Sequence, residues 1–109
     1  MKELVVVYIT APSADEGARI ARALVEERLA ACVNRIGGVS SIYRWQGKVE
    51  ESAEELLIVK TSREKFEALR QRVGELHSYS VPEIIALPII DGSESYLDWL
   101  RTQIVPVAN

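Results

Sequence analysis

The order of elements read from this chain, β-α-β-β-α-β, predicts an α+β fold with an antiparallel sheet and two helices on one face, the ferredoxin-like split βαβ arrangement. Three observations carry it. Valine-rich and leucine-rich runs at Leu4–Thr10 and Leu56–Val59 read as buried strands. Two segments with helical spacing follow them. Between the helices, Ala31–Trp45 and Lys48–Thr61 read as two long strands joined by a tight turn at Gln46-Gly47. Strands average about five or six residues, and these run to roughly twice that. A small domain cannot cover such a hairpin, so the overhang calls for a second copy of the chain.

Leu4–Thr10 is a nearly continuous apolar run that suits a central strand covered on both faces. Ala11-Pro12 ends it, and Ser13 with Glu16 forms a capping-box pattern that starts the first helix. Ala14, Ala18, Ala21 and Val25 recur at helical spacing as its apolar face, and the helix ends near Arg28. The next strand runs Ala31–Ile36 and continues as Val39–Trp45, with Gly37-Gly38 permitting a bulge between them. The return strand is polar over Lys48–Ser52 and apolar over Leu56–Val59. Thr61 with Glu64 gives a second capping-box pattern, and Phe66, Leu69, Val73 and Leu76 mark the buried face of the second helix.

His77–Pro82 reads as a loop, since Pro82 opposes helix. Ile84–Ile90 is a fourth strand, and Pro88 places it at an edge or bulge. Asp91-Gly92 turns the chain into an extra C-terminal helix over Ser93–Arg101. Gln103–Val107 has the composition of a short fifth strand.

At 109 residues with 48% apolar side chains, residues 1–109 read as one domain able to build a core. The net charge of −3 and the scattered lysines and arginines give no footprint for nucleic acid and no polybasic patch for a membrane. No apolar run approaches the roughly twenty residues that span a bilayer. Met1-Lys2-Glu3 leads straight into a strand with no secretory signal, and a single cysteine offers no disulfide framework. The chain therefore reads as cytoplasmic.

Metal chemistry has one cysteine and one histidine to work with, Cys32 and His77, and neither sits in a C-x-x-C or H-x-x-x-H spacing. Cys32, among Ala30, Ala31 and Val33, reads as a small core residue or as a thiol facing a cleft and able to take mercury or copper(I). His77 reads as a loop residue bonded to backbone, a weak metal contact shared between copies, or a member of an organic ligand cleft. Lys60, Tyr79 and Glu83 form a more suggestive set. A cation at the end of a buried strand needs a counter-charge, and Glu83 is the nearest candidate by topology. With the Tyr79 phenol the pair suits a small anionic or zwitterionic ligand, or a structural ion pair. Tyr43 and Trp45, one strand period apart, face the same way and suit either packing against a neighbour or stacking on a ligand. No G-x-S-x-G element, histidine-based triad or glycine-rich phosphate loop is present, so the chain reads as no enzyme.

Ala31-Cys32-Val33-Asn34, the Tyr43-x-Trp45-x-Gly47 hairpin, Lys60-Thr61, His77-x-Tyr79-x-x-Pro82-Glu83-Ile84 and Tyr96-Leu97-x-Trp99-Leu100 together resemble the CutA family of divalent-cation tolerance proteins, over roughly Val5–Leu100. The resemblance implies a homotrimer in which long hairpins pair between subunits, with a role in tolerance of or response to divalent metal ions. It also places Lys60, Tyr79, Glu83 and Trp45 along an intersubunit cleft. A trimeric module built like the PII signalling proteins, binding a small metabolite in that cleft, is the alternative. Copper-binding members carry a cysteine on the first strand and adjacent histidines before the Tyr-x-x-Pro-Glu run. Here those positions hold Ile9 and Leu76, so the resemblance implies at most weak binding of copper or another divalent cation, through His77 or Cys32.

Overall fold

In the computed structural model, which describes residues 3–105, four strands form one antiparallel sheet in the order β2-β3-β1-β4. The strands are β1 Leu4–Ala11, β2 Cys32–Trp45, β3 Lys48–Ser62 and β4 Ile84–Pro88. The helices are α1 Ala14–Glu26, α2 Phe66–Leu76 and α3 Glu94–Gln103. This is the expected split βαβ order. β2 and β3 run to 14 and 15 residues, and the hairpin carries the molecule to 48 × 30 × 22 Å. The radius of gyration of 14.7 Å exceeds the roughly 13 Å of a compact chain of this length.

The turn at Gln46-Gly47 has φ of 50° and 80°. Two successive left-handed residues match the twist of the strands they join, and glycine at the second accepts that geometry without strain. The bulge falls between Ile36 and Val39, where Gly38 takes φ 72°.

Val5, Val7 and Ile9 of β1 and Leu57 and Val59 of β3 pack against Ile20 and Leu24 of α1 and Leu69 and Val73 of α2. Leu4, Ala31, Leu100 and Ile104 form a second cluster that docks α3. Arg28 Nη1 donates to the Gln103 carbonyl at 2.9 Å, placing a cation at the C-terminal end of α3.

Five expectations about the fold need correction. The buried face of α1 is Glu16, Gly17, Ile20, Ala21 and Leu24, while Ala14 and Val25 are exposed. Alanines mark a helix face weakly, and the larger Ile20 and Leu24 decide the rotation. Thr61 does not cap α2. It lies in β3, fully buried, with its hydroxyl donating to the Leu29 carbonyl at 2.7 Å, and the chain enters α2 through a 3-10 turn at Arg63–Lys65. β4 stops at Pro88, although the Ile89 amide still bonds to the Leu4 carbonyl. α3 runs on through Gln103, so no fifth strand begins there, and residues 106–107 of that expected strand lie outside the described residues.

β1 is central, but only its helix-facing side is covered. Val5, Val7 and Ile9 are buried, and the alternate residues Val6, Tyr8 and Thr10 are half-exposed. The register places Ile58 of β3 and Ile85 of β4 either side of Tyr8, on the same uncovered face.

Candidate functional site

The loop 77–83 after α2 crosses the end of β1, and two carboxylates, Glu16 and Glu54, hold it. Ser13 begins α1 as expected, its hydroxyl accepting the Glu16 amide at 3.2 Å. The reciprocal half of the capping box is absent. Glu16 turns its carboxylate to the loop instead, where Oε2 accepts from the Ser78 amide at 2.9 Å and the Ser78 hydroxyl at 3.1 Å. Burial works to raise the Glu16 carboxyl, but these donors, with His77 and Arg19 nearby, outweigh it and hold the group below its usual 4.5.

His77 is the expected backbone-bonded loop residue. Its Nε2 lies 2.8 Å from the Thr10 carbonyl, and its Nδ1 lies 3.0 Å from the Tyr79 amide. The carbonyl can only accept and the amide can only donate, so this pair of bonds is met by a ring with its proton on Nε2 and Nδ1 accepting. No ring lone pair is left for a metal. Cys32 contacts Asn34 Oδ1 at 3.9 Å and lies opposite Lys60, at the other end of the sheet. From Val6, the β1 partner of Lys60, to Thr10 is four strand residues, or about 13 Å. One chain therefore cannot bring Cys32 and His77 to one ion. Ile9 and Leu76 both pack in the core, and among the described residues no three His, Cys, Asp or Glu side chains gather as a metal site. The residues present do not fit a copper centre within one chain.

The Tyr79 hydroxyl donates to Glu54 Oε2 at 3.1 Å, joining the loop to β3. Burial, with the Glu54 carboxylate beside it, raises the phenol above its ordinary 10.0. Beneath this bridge a cavity of about 700 Å³ opens between the hairpin and the loop. Ser41, Ile42, Tyr43 and Trp45 line it from β2, Glu54 from β3, and Tyr79, Val81 and Glu83 from the loop. The expected cleft residues Trp45, Tyr79 and Glu83 thus come together. Lys60 does not join them. Its ammonium bonds Asn34 Oδ1, and Glu83, next to Ile84, stands at the Ile9 end of β1 rather than the Val6 end. Within one chain the expected Lys60–Glu83 pair is not made, because the antiparallel register sets the two residues at opposite ends of the central strand.

The sequence marks Glu16 only as half of a capping box and does not mark Glu54 or Glu55, although Glu16 and Glu54 hold the loop and Glu55 anchors Arg35 beside α1. Glu55 is buried, and Arg35 clamps it with two bonds of 2.7 and 3.2 Å while also donating to the Ala14 carbonyl. Gly17 is required beside it, since a β-carbon there would stand 2.1 Å from Glu55 Oε1. A signal was present in the sequence. Glu54-Glu55 precedes an apolar strand run, and carboxylates entering a buried strand must each find a partner.

The profile of the CutA1 divalent ion tolerance protein family matches residues 5–103. The Divalent-cation tolerance protein CutA of Thermus thermophilus is 60% identical over 96 residues, covering 88% of this chain and 93% of its relative. Protein CutA, chloroplastic, of Arabidopsis thaliana is 50% identical over 97 residues, and there the chain spans about half of the relative's length. Among solved structures, CutA1 from Oryza sativa superposes with a TM-score of 0.93 at 46% identity, covering 96% of each chain. The structure from Archaeoglobus fulgidus, described as a periplasmic divalent cation tolerance protein, gives 0.91 at 44% identity, covering 94% of this chain and 99% of its own. The chain belongs to the CutA1 family.

Proposed function

We propose that this CutA-family chain works as a cytoplasmic homotrimer in the tolerance of, or response to, divalent metal ions, copper and related, without catalysing a reaction. The observation that carries the reading is the family match over nearly the whole chain, to relatives named for tolerance rather than for a reaction. The uncovered sheet face supports assembly. Ile36, Ile85 and Leu87 are exposed there, with Tyr8 and Ile58 half-exposed between them, a contiguous apolar strip of the kind that marks an interaction surface. Copper contacts through His77 or Cys32 are weak on this reading and shared between copies. No helix among the described residues is long and apolar enough to cross a membrane. Deleting the chain from its host should sensitise growth to copper, with restoration by the wild-type chain. Equal copper sensitivity of deleted and parental strains defeats the reading. Fractionation of the host tests the cytoplasmic placement.

The alternative, a trimeric PII-like module for a small metabolite, draws support from the cavity between hairpin and loop. Its volume falls in the range of small-molecule sites, and it contains both aromatic walls and polar groups. A ligand that binds only the folded protein raises its melting temperature. Thermal shift with metals and with metabolites therefore separates the two readings.

A further inference from the structure

The charge of the cavity is one-sided. Among the described residues the carboxylate side chains lining it are Glu54 and Glu83, and no lysine, arginine or histidine lines it. Glu54 is 8% exposed, and among the described residues its bond is the Tyr79 hydroxyl on Oε2, while Oε1 has no protein partner but is not sealed from solvent. Glu55, the next residue, is equally buried and has an arginine clamped on both oxygens. A largely buried carboxylate with one phenol as donor and no basic side chain beside it leaves room for a cation brought from outside to pair with it.

The remaining walls say which kind of cation. Trp45, Tyr43 and Tyr79 present aromatic rings and Ile42 an aliphatic surface. A hard divalent ion wants about six oxygen ligands, and two carboxylates with aromatic neighbours do not supply them. An ammonium or guanidinium head suits an aromatic face through the ring quadrupole, and about 700 Å³ admits an organic body behind it. We infer that the cavity between the hairpin and the 77–83 loop binds a small organic cation, its positive head against Glu54 and Glu83 and its apolar body against Trp45 and Tyr43. The inference rests on the reading of this cavity as a ligand cleft. It differs from the anionic or zwitterionic ligand that a Lys60–Glu83 pair would suit, a pair not made within one chain.

The chain has two tryptophans, so Trp99→Phe leaves Trp45 as the only indole and a reporter inside the cavity. The assembled Trp99→Phe protein is titrated with n-butylammonium chloride, sodium butyrate and zinc chloride. Butylammonium is expected to change Trp45 emission saturably, with butyrate and zinc silent. Glu54→Gln keeps an acceptor for the Tyr79 hydroxyl while removing the charge, and should weaken butylammonium binding about tenfold. Glu83→Gln, at an exposed position, should weaken it several-fold and serves alone if the Glu54 variant fails to fold. Saturation by butyrate alone or zinc alone overturns the organic-cation inference and leaves the cleft reading standing. Butylammonium binding indifferent to both substitutions overturns the inference as well. Silence from all three probes overturns the cleft reading itself, as when a side chain of a neighbouring copy fills the cavity.

Discussion

The Tyr79 hydroxyl and the Glu54 carboxylate meet at 3.1 Å, and that bond is where the loop after α2 is fastened to the long hairpin. Glu54 is buried, so the bond compensates a carboxylate that would otherwise face the cavity with no donor at all. Tyr79→Phe is expected to cost about 1 kcal/mol in denaturant unfolding. The phenol is raised above 10.0 by burial and by Glu54, so its contribution is fully present below pH 10.0 and is lost as pH rises through its folded value. Wild type should therefore lose stability faster than Tyr79→Phe above pH 10. Parallel alkaline limbs would contradict the assignment.

At the acid end the corresponding group is Glu16. Its carboxyl is held below 4.5, so its contribution is present above pH 4.5 and is lost as pH falls through the lowered folded value. Glu16→Gln should lower stability by about 1 kcal/mol at pH 7 and flatten the acid limb. It should also speed hydrogen exchange of the Ser78 amide, whose acceptor is Glu16 Oε2. Unchanged exchange at Ser78 would show that the bond does not hold the loop.

Gly17→Ala tests the close approach of α1 to β3. Helix propensity alone favours alanine by about 1 kcal/mol, but the new β-carbon would overlap Glu55 Oε1, which Arg35 holds in place. Net destabilisation of about 1–2 kcal/mol is expected. Truncating Glu55 to alanine first should remove most of that penalty, a coupling that a double-mutant cycle of thermal unfolding would measure.

Calorimetric titration with copper and zinc should reveal no sub-micromolar site of one ion per chain. His77→Ala should lose stability, about 2 kcal/mol, because two backbone groups lose their partners. A tight site present in wild type and absent in that variant would overturn the reading of His77 as a structural residue.

Sedimentation equilibrium should return about three times the 12.2 kDa chain mass. Ile85→Asp places a charge on the apolar sheet face and Trp45→Arg places one on the hairpin, and both should shift the equilibrium toward monomer. Wild type sedimenting as a monomer at micromolar concentration would sink the trimer.

Where a single local rule decides the outcome, the sequence was enough. Gln46-Gly47 is a hairpin turn because two left-handed residues suit the strand twist, and Gly37-Gly38 is a bulge because Gly38 takes positive φ. Leu69 and Val73 face the core because large side chains at helical spacing leave one way to turn the helix. Spacing between motifs also carried the family. The partners of the charged residues were decided only in three dimensions. Ser13-x-x-Glu16 is a capping box by pattern, yet the Glu16 carboxylate is taken by Ser78, 62 residues away. Lys60 and Glu83 suit each other by charge, yet within one chain the register of β1 with β3 and β4 sets them about 13 Å apart along the strand and gives Lys60 to Asn34. Backbone geometry follows local sterics, which a short window of sequence contains. The choice of partner for a buried charge follows from whichever donor the packed sheet and helices bring within about 3 Å, and that distance exists only once the chain has folded.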